Sequence, residues 1–116
     1  MPETTLTTTV RSASIGAAGR ALNSARMHHF VLDSSTKPEA LSNTESFLAG
    51  ISSCGVTLIE GYAKEKNVPL KRMDVTIQGV RTAAEPARFA SLSMRFELSG
   101  VSQAQAEDLV RTYRDR

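Results

Sequence analysis

The stretch FLAGISSCGVTLIEGYAKEKN, residues 47–67, holds the chain's only cysteine and three of its seven glycines. Phe47, Ile51, Cys54, Leu58 and Tyr62 recur at intervals of four, three, four and four, which is the spacing of one helical face. A glycine inside a helix costs about 1 kcal/mol relative to alanine, so Gly50, Gly55 and Gly61 together cost about 3 kcal/mol. That is a large fraction of the net stability of a small domain. Small residues offset such a cost where something must approach closely. Ala49, Ser52 and Ser53 add to the glycines, leaving Cys54 among neighbours with little bulk. The pattern predicts close packing against this helix, around the thiol.

The ends of the helix are also written in the sequence. Ser42 followed by Glu45 fits a capping box, in which each side chain satisfies a free N–H of the first turn. Asn67, with Pro69 close behind, predicts the stop. Downstream, Met73, Val75 and Ile77 alternate with Arg72, Asp74, Thr76 and Gln78, the two-residue period of a strand with one buried face. Ala90, Leu92, Met94, Phe96 and Leu98 alternate in the same way, and the intervening RTAAEPAR reads as a hairpin connection. Ser102 and Gln105 form a second capping box, ahead of a helical stripe through Ala106, Leu109, Val110 and Tyr113.

Upstream, TLTTTVRSASI and RALNSARMHHFVLD read as two extended runs joined by the turn residues of GAAG, residues 16–19. The polar loop SSTKPEALSN, with Pro38 inside it, leads to the helix. The predicted order is β-β-α-β-β-α, an α+β fold in which antiparallel sheet is covered by helices on one side.

With 116 residues, 41% hydrophobic and 22% charged, the chain is one globular domain spanning residues 1–116. No apolar run nears the ~18 residues of a membrane span, and MPETTLTTTV lacks the marks of a secretory leader. A net charge of +2 with dispersed arginines gives no footprint for nucleic acid. A single cysteine needs no oxidising compartment, so a cytoplasmic location is expected. His28 and His29 are adjacent in an extended run and point to opposite faces, so neither a metal nor another cofactor is expected there.

The segment SNTESFLAGISSCGVTLIEGYAKEKNVPLKRMDVTIQG resembles the central signature of the OsmC/Ohr family. It has a short acidic start, a run of small and apolar residues, and a cysteine nine or ten residues after a glutamate. FASLSMRFELSGVSQAQAEDLVRTYRDR resembles the family's later strand and second helix, so the likeness covers residues from about 20 to 116. It implies an intertwined homodimer with active sites between the two chains. It also implies a thiol peroxidase acting on organic hydroperoxides in oxidative-stress defence. There a reactive cysteine becomes a sulfenic acid, and a Cys-Pro pair on the later helix resolves it. That pair would fall beyond TYRDR, so the C-terminal part of the family fold is expected to be missing. Reduction within these residues then needs an external thiol.

A free thiol near pKa 8.5 is only a few per cent thiolate at neutral pH. Lowering such a value by about two units takes about 2.7 kcal/mol of preferential thiolate stabilisation. Cys54 is some nine residues into its helix, too deep for the macrodipole to supply that. The resemblance implies an arginine held by a glutamate. Glu45 matches at nine residues, whereas the ten-residue spacing of the peroxidase branch falls on Thr44, which points to the broader OsmC-like group. For the cation, the loop offers Lys37 and the preceding hairpin offers Arg20 and Arg26; Arg26 is the candidate.

Cys54, Glu45 and Arg26 are thus the expected site. A different reading makes the chain a non-enzymatic dimeric module that binds an apolar small molecule near an inert Cys54. A third makes it a structural α+β interaction domain. A homodimer also follows from the long helix itself, because Ala49, Ser53 and Val56 place small or apolar residues on a second side. More than one stripe is then buried, and a core this small cannot cover both.

Overall fold

The computed structural model describes residues 4–34 and 39–115. Seven elements follow in order: β1 (Arg11–Ser14), β2 (Arg20–Ala25), β3 (His28–Asp33), α1 (Asn43–Glu65), β4 (Arg72–Val80), β5 (Ser91–Ser99) and α2 (Gln103–Arg114). The α+β class and antiparallel pairing are as expected, with one strand more than the sequence pattern predicts. The contacts divide the chain into two compact units, one ending at Ser46 and the other beginning at Phe47.

In the first unit, β1, β2 and β3 form an antiparallel sheet in that order. The predicted second extended run is itself a hairpin. Ala25 pairs with His28, so Arg26 and Met27 alone make the turn. Arg26 has φ 56°, the left-handed value that two-residue hairpin turns require at their first position. Such turns usually advertise themselves with Gly or Asn, and an arginine there hides the break. The GAAG turn does form, with Gly16 at φ 85° and Gly19 at φ 81°. Pro38 and Lys37 lie outside the described residues.

Both signals that define α1 hold. Ser42 N–H donates to Glu45 Oε1 at 2.9 Å, and Glu45 N–H donates to Ser42 Oγ at 3.0 Å, which completes the capping box. At the other end Asn67 takes φ 56°. Val68 N–H bonds Ala63 O at 2.8 Å, and Asn67 N–H bonds Lys64 O at 3.3 Å. These are the two bonds of a Schellman stop.

In the second unit, β4 and β5 pair antiparallel from Arg72↔Ser99 to Val80↔Ser91. Their inward faces, with Met73, Val75, Phe96 and Leu98, meet α1 and α2 around a core of Ile59, Tyr62, Ala63, Met73 and Leu109. Ile59 and Leu109 are fully buried, each worth about 1.5–3 kcal/mol of transfer free energy. The α2 stripe lands as predicted, behind the Ser102–Gln105 capping box.

One expectation is corrected here. The buried face of α1 is Gly55, Ile59, Tyr62 and Ala63. Of the predicted stripe, Tyr62 is buried, but Cys54 is exposed, and Phe47 and Leu58 are 57% and 42% exposed. The core face is turned by about one residue from the predicted one. Both faces are apolar, so periodicity alone could not choose between them.

Candidate active site on helix α1

Cys54 stands near the middle of α1 as a free, exposed thiol. Little crowds it. Among the described residues, a side chain on Gly50, one turn earlier, would meet nothing within 4 Å, and the same is true of Gly61. Nearby hydroxyls are turned onto their own helix: Ser52 Oγ donates to Ala49 O at 3.2 Å, and Thr57 Oγ1 reaches Ser53 O at 3.2 Å and Cys54 O at 3.4 Å. The surface around the sulfur is therefore built of small residues, with exposed Ser53 beside it, and continues into exposed Phe47 and Leu58.

Phe47 also anchors an aromatic stack. Its ring lies 14° from parallel to Phe89, with centroids 6.1 Å apart, and the Arg81 guanidinium is 6.0 Å from the Phe89 centroid. Phe89 packs against Gly79, where a side chain would collide with its ring. That contact explains why a glycine interrupts β4.

Glu45 lies in the first turn of α1, exposed, with Oε1 engaged by the Ser42 N–H. Arg26 is exposed at the tip of the β2–β3 hairpin. Among the described residues no hydrogen bond or ion pair engages Arg26, and none joins it to Glu45. Arg20 differs. It gives two bonds to Asp33, Nε–Oδ1 at 2.6 Å and Nη2–Oδ2 at 3.2 Å, and its Nη2 lies 3.1 Å from Glu39 Oε1. The Asp33 carboxylate, with Glu39 behind it, raises the pKa of Arg20 further above its ordinary value. In return the Arg20 guanidinium holds Asp33 below the usual carboxylate range, although burial acts in the opposite sense. This cluster was not anticipated, since Asp33 reads in sequence only as the end of an extended run. His29 Nδ1 lies 2.8 Å from Ser24 Oγ. Among the described residues no three His, Cys, Asp or Glu side chains gather to hold a metal.

The family of OsmC-like proteins matches this sequence over residues 34–116, well over half of it and including the whole of α1. The chain belongs to the OsmC-like family. Its fold agrees. An OsmC-like protein from Mycoplasma pneumoniae superposes with a TM-score of 0.84 at 11% identity, covering 96% of this chain and 82% of that one. An organic hydroperoxide resistance protein OsmC from Legionella pneumophila gives 0.76 at 19% identity, covering 97% and 85%. The organic hydroperoxide resistance protein OhrB of Bacillus subtilis gives 0.61 at 14%, covering 95% and 84%. No curated protein matches the sequence. At these identities the likeness establishes the OsmC fold and leaves the chemistry to the residues themselves. The candidate residues are an exposed cysteine on α1, a glutamate that completes the capping box in its first turn, and an exposed arginine at the hairpin tip.

Proposed function

We propose that this OsmC-like protein is a cytoplasmic, thiol-dependent peroxidase that reduces organic hydroperoxides through Cys54. The exposure of the lone thiol on the uncrowded flank of α1 carries the reading. The Cys54 thiolate attacks the outer oxygen of the hydroperoxide. An S–O bond forms, the O–O bond breaks, and the alkoxide takes a proton to leave as the alcohol. The resulting sulfenic acid condenses with an external thiol, releasing water and leaving a mixed disulfide. A second external thiol then exchanges with it and restores Cys54.

Thiolate formation needs a cation, and charge accounting favours Arg26. Arg20 is already matched by two carboxylates, so that cluster carries no net positive charge to offer. Glu45 acts as the orienter of the arginine. Nine residues at 100° and 1.5 Å each put Glu45 and Cys54 about 13 Å apart along one helix and on opposite sides of it. A single helix cannot bring both to one reacting atom. The reading therefore includes a homodimer, in which a second copy completes the site over the exposed Phe47, Cys54 and Leu58 flank.

The test is consumption of cumene hydroperoxide with dithiothreitol as reductant, alongside mass spectrometry of the protein. Turnover by the wild type, loss in Cys54→Ser and a gain of one oxygen on Cys54 are expected. A Cys54 that resists both peroxide and alkylating agents in the folded protein ends the enzyme reading. That flank would then be a binding surface.

A further inference from the structure

Asp33 is among the largest fully buried side chains of the protein. A buried carboxylate is costly unless it is paired and hydrogen-bonded, and the partners of this one come from separate stretches of chain. Arg20, at the start of β2, engages both oxygens. The backbone N–H of Ala40 donates to Oδ2 at 2.8 Å. The backbone N–H of Asp33 itself donates to Leu41 O at 2.8 Å, and Asp33 pairs with Ser42 in an isolated parallel bridge. Ser42 is the residue that exchanges two hydrogen bonds with Glu45. A continuous series of bonds thus runs from Arg20 through Asp33 to residues 40–42, and from there to the first turn of α1.

We propose that Asp33 is a positioning residue for the thiol site: its buried carboxylate grips Arg20 on one side and the segment entering α1 on the other, and so fixes where Glu45 is held. The inference rests on the roles of Cys54 and Glu45 given above. Asparagine at position 33 would offer one acceptor oxygen in place of two, with no charge. It could not hold both the guanidinium and the Ala40 N–H as the carboxylate does.

The experiment compares Asp33→Asn, Glu45→Gln and the double variant with wild type. Amide hydrogen exchange is read at Ala40, Ser42 and Glu45, and the pH profile of Cys54 alkylation is read on the same proteins. Asp33→Asn should speed exchange at those amides about tenfold while the fold is retained. It should also shift the alkylation profile to higher pH, as Glu45→Gln does, with the double variant shifting no further than either alone. Unchanged exchange overturns the proposal whatever the thiol does, and so do additive shifts, because Asp33 would then not act through Glu45. A wild-type profile with the midpoint of a free thiol, about 8.5, refutes the peroxidase reading, while the exchange measurement still decides the clamp. Should Asp33→Asn fail to fold, Arg20→Lys keeps the positive charge but loses the two-bond fork. It should move both readouts in the same direction by a smaller amount, and no movement in either overturns the proposal.

Discussion

The ring of Tyr113 lies against Gly55: a side-chain carbon added to the glycine would sit 3.5 Å from Tyr113 Cε2 and Cζ. The Tyr113 hydroxyl donates to Ile51 O at 3.3 Å, so α2 holds α1 both through the ring and through its tip. Of the three helix glycines, only this one meets another element among the described residues.

The distance decides what the glycine tolerates. At 3.5 Å a methyl group makes ordinary van der Waals contact, and alanine removes the helix cost of glycine. Gly55→Ala should therefore be neutral or stabilise by up to about 1 kcal/mol. Gly55→Leu has no such room and should destabilise by about 1–3 kcal/mol. Urea unfolding of the two variants checks this; a destabilising alanine would mean tighter packing than the Tyr113 contact allows.

Gly50 and Gly61 give the opposite test. Among the described residues nothing approaches either position, so in an isolated chain Gly50→Ala and Gly61→Ala should each stabilise by about 1 kcal/mol. If a second copy packs on this flank, bulk there pushes it away, and Gly50→Leu should raise the dissociation constant of the dimer. Sedimentation across a range of concentrations reads this directly. A wild type that stays monomeric at micromolar concentration, with both alanine variants more stable, would remove the dimer from the proposed function.

Legibility in the sequence divided along physical lines. Both capping boxes and the Asn67 stop were readable because they depend on residues three or four positions apart. The two faces of β4 were readable because Met73, Val75 and Ile77 contrast with charged or polar neighbours. The Arg26 turn was not, because its positive φ is carried by a residue with no turn preference. The buried face of α1 was misplaced because Phe47, Cys54 and Leu58 are as apolar as Ile59 and Ala63. Choosing between them needs the positions of Tyr113 and Met94, which are more than thirty residues away in sequence. The Arg20–Asp33 pair joins residues thirteen apart and depends on a hairpin register that the missed turn conceals.

Asp33 also makes an acid prediction. Its carboxyl titrates below its unfolded value of about 3.9, chiefly because the Arg20 guanidinium bonds the charged form. The unfolded chain therefore binds more protons between the two values. The stabilisation is fully present above about pH 4 and is lost as pH falls through the depressed folded value. Asp33→Asn lacks the group, so its stability should fall less steeply below pH 4 than that of the wild type. Parallel stability curves on acidification would show that the pair contributes nothing to this slope.

The two roles assigned to Glu45 can be separated with its capping partner. Glu45→Gln keeps an oxygen to accept the Ser42 N–H, so the box survives. It removes the negative charge from the first turn, where interaction with the helix dipole is worth about 0.3–1 kcal/mol. Ser42→Ala removes the other half of the box and should cost about 1 kcal/mol, yet it leaves the Glu45 carboxylate charged. If Glu45 serves only as a cap, the two variants should lose stability without slowing alkylation of Cys54 at pH 7. If it orients the arginine that activates the thiol, Glu45→Gln should slow alkylation several-fold, whereas Ser42→Ala, destabilised at least as much, should slow it much less. Stopped-flow alkylation set beside thermal unfolding gives both quantities on the same samples. Because stability falls in both variants, only loss of the charge can account for slower chemistry in one of them.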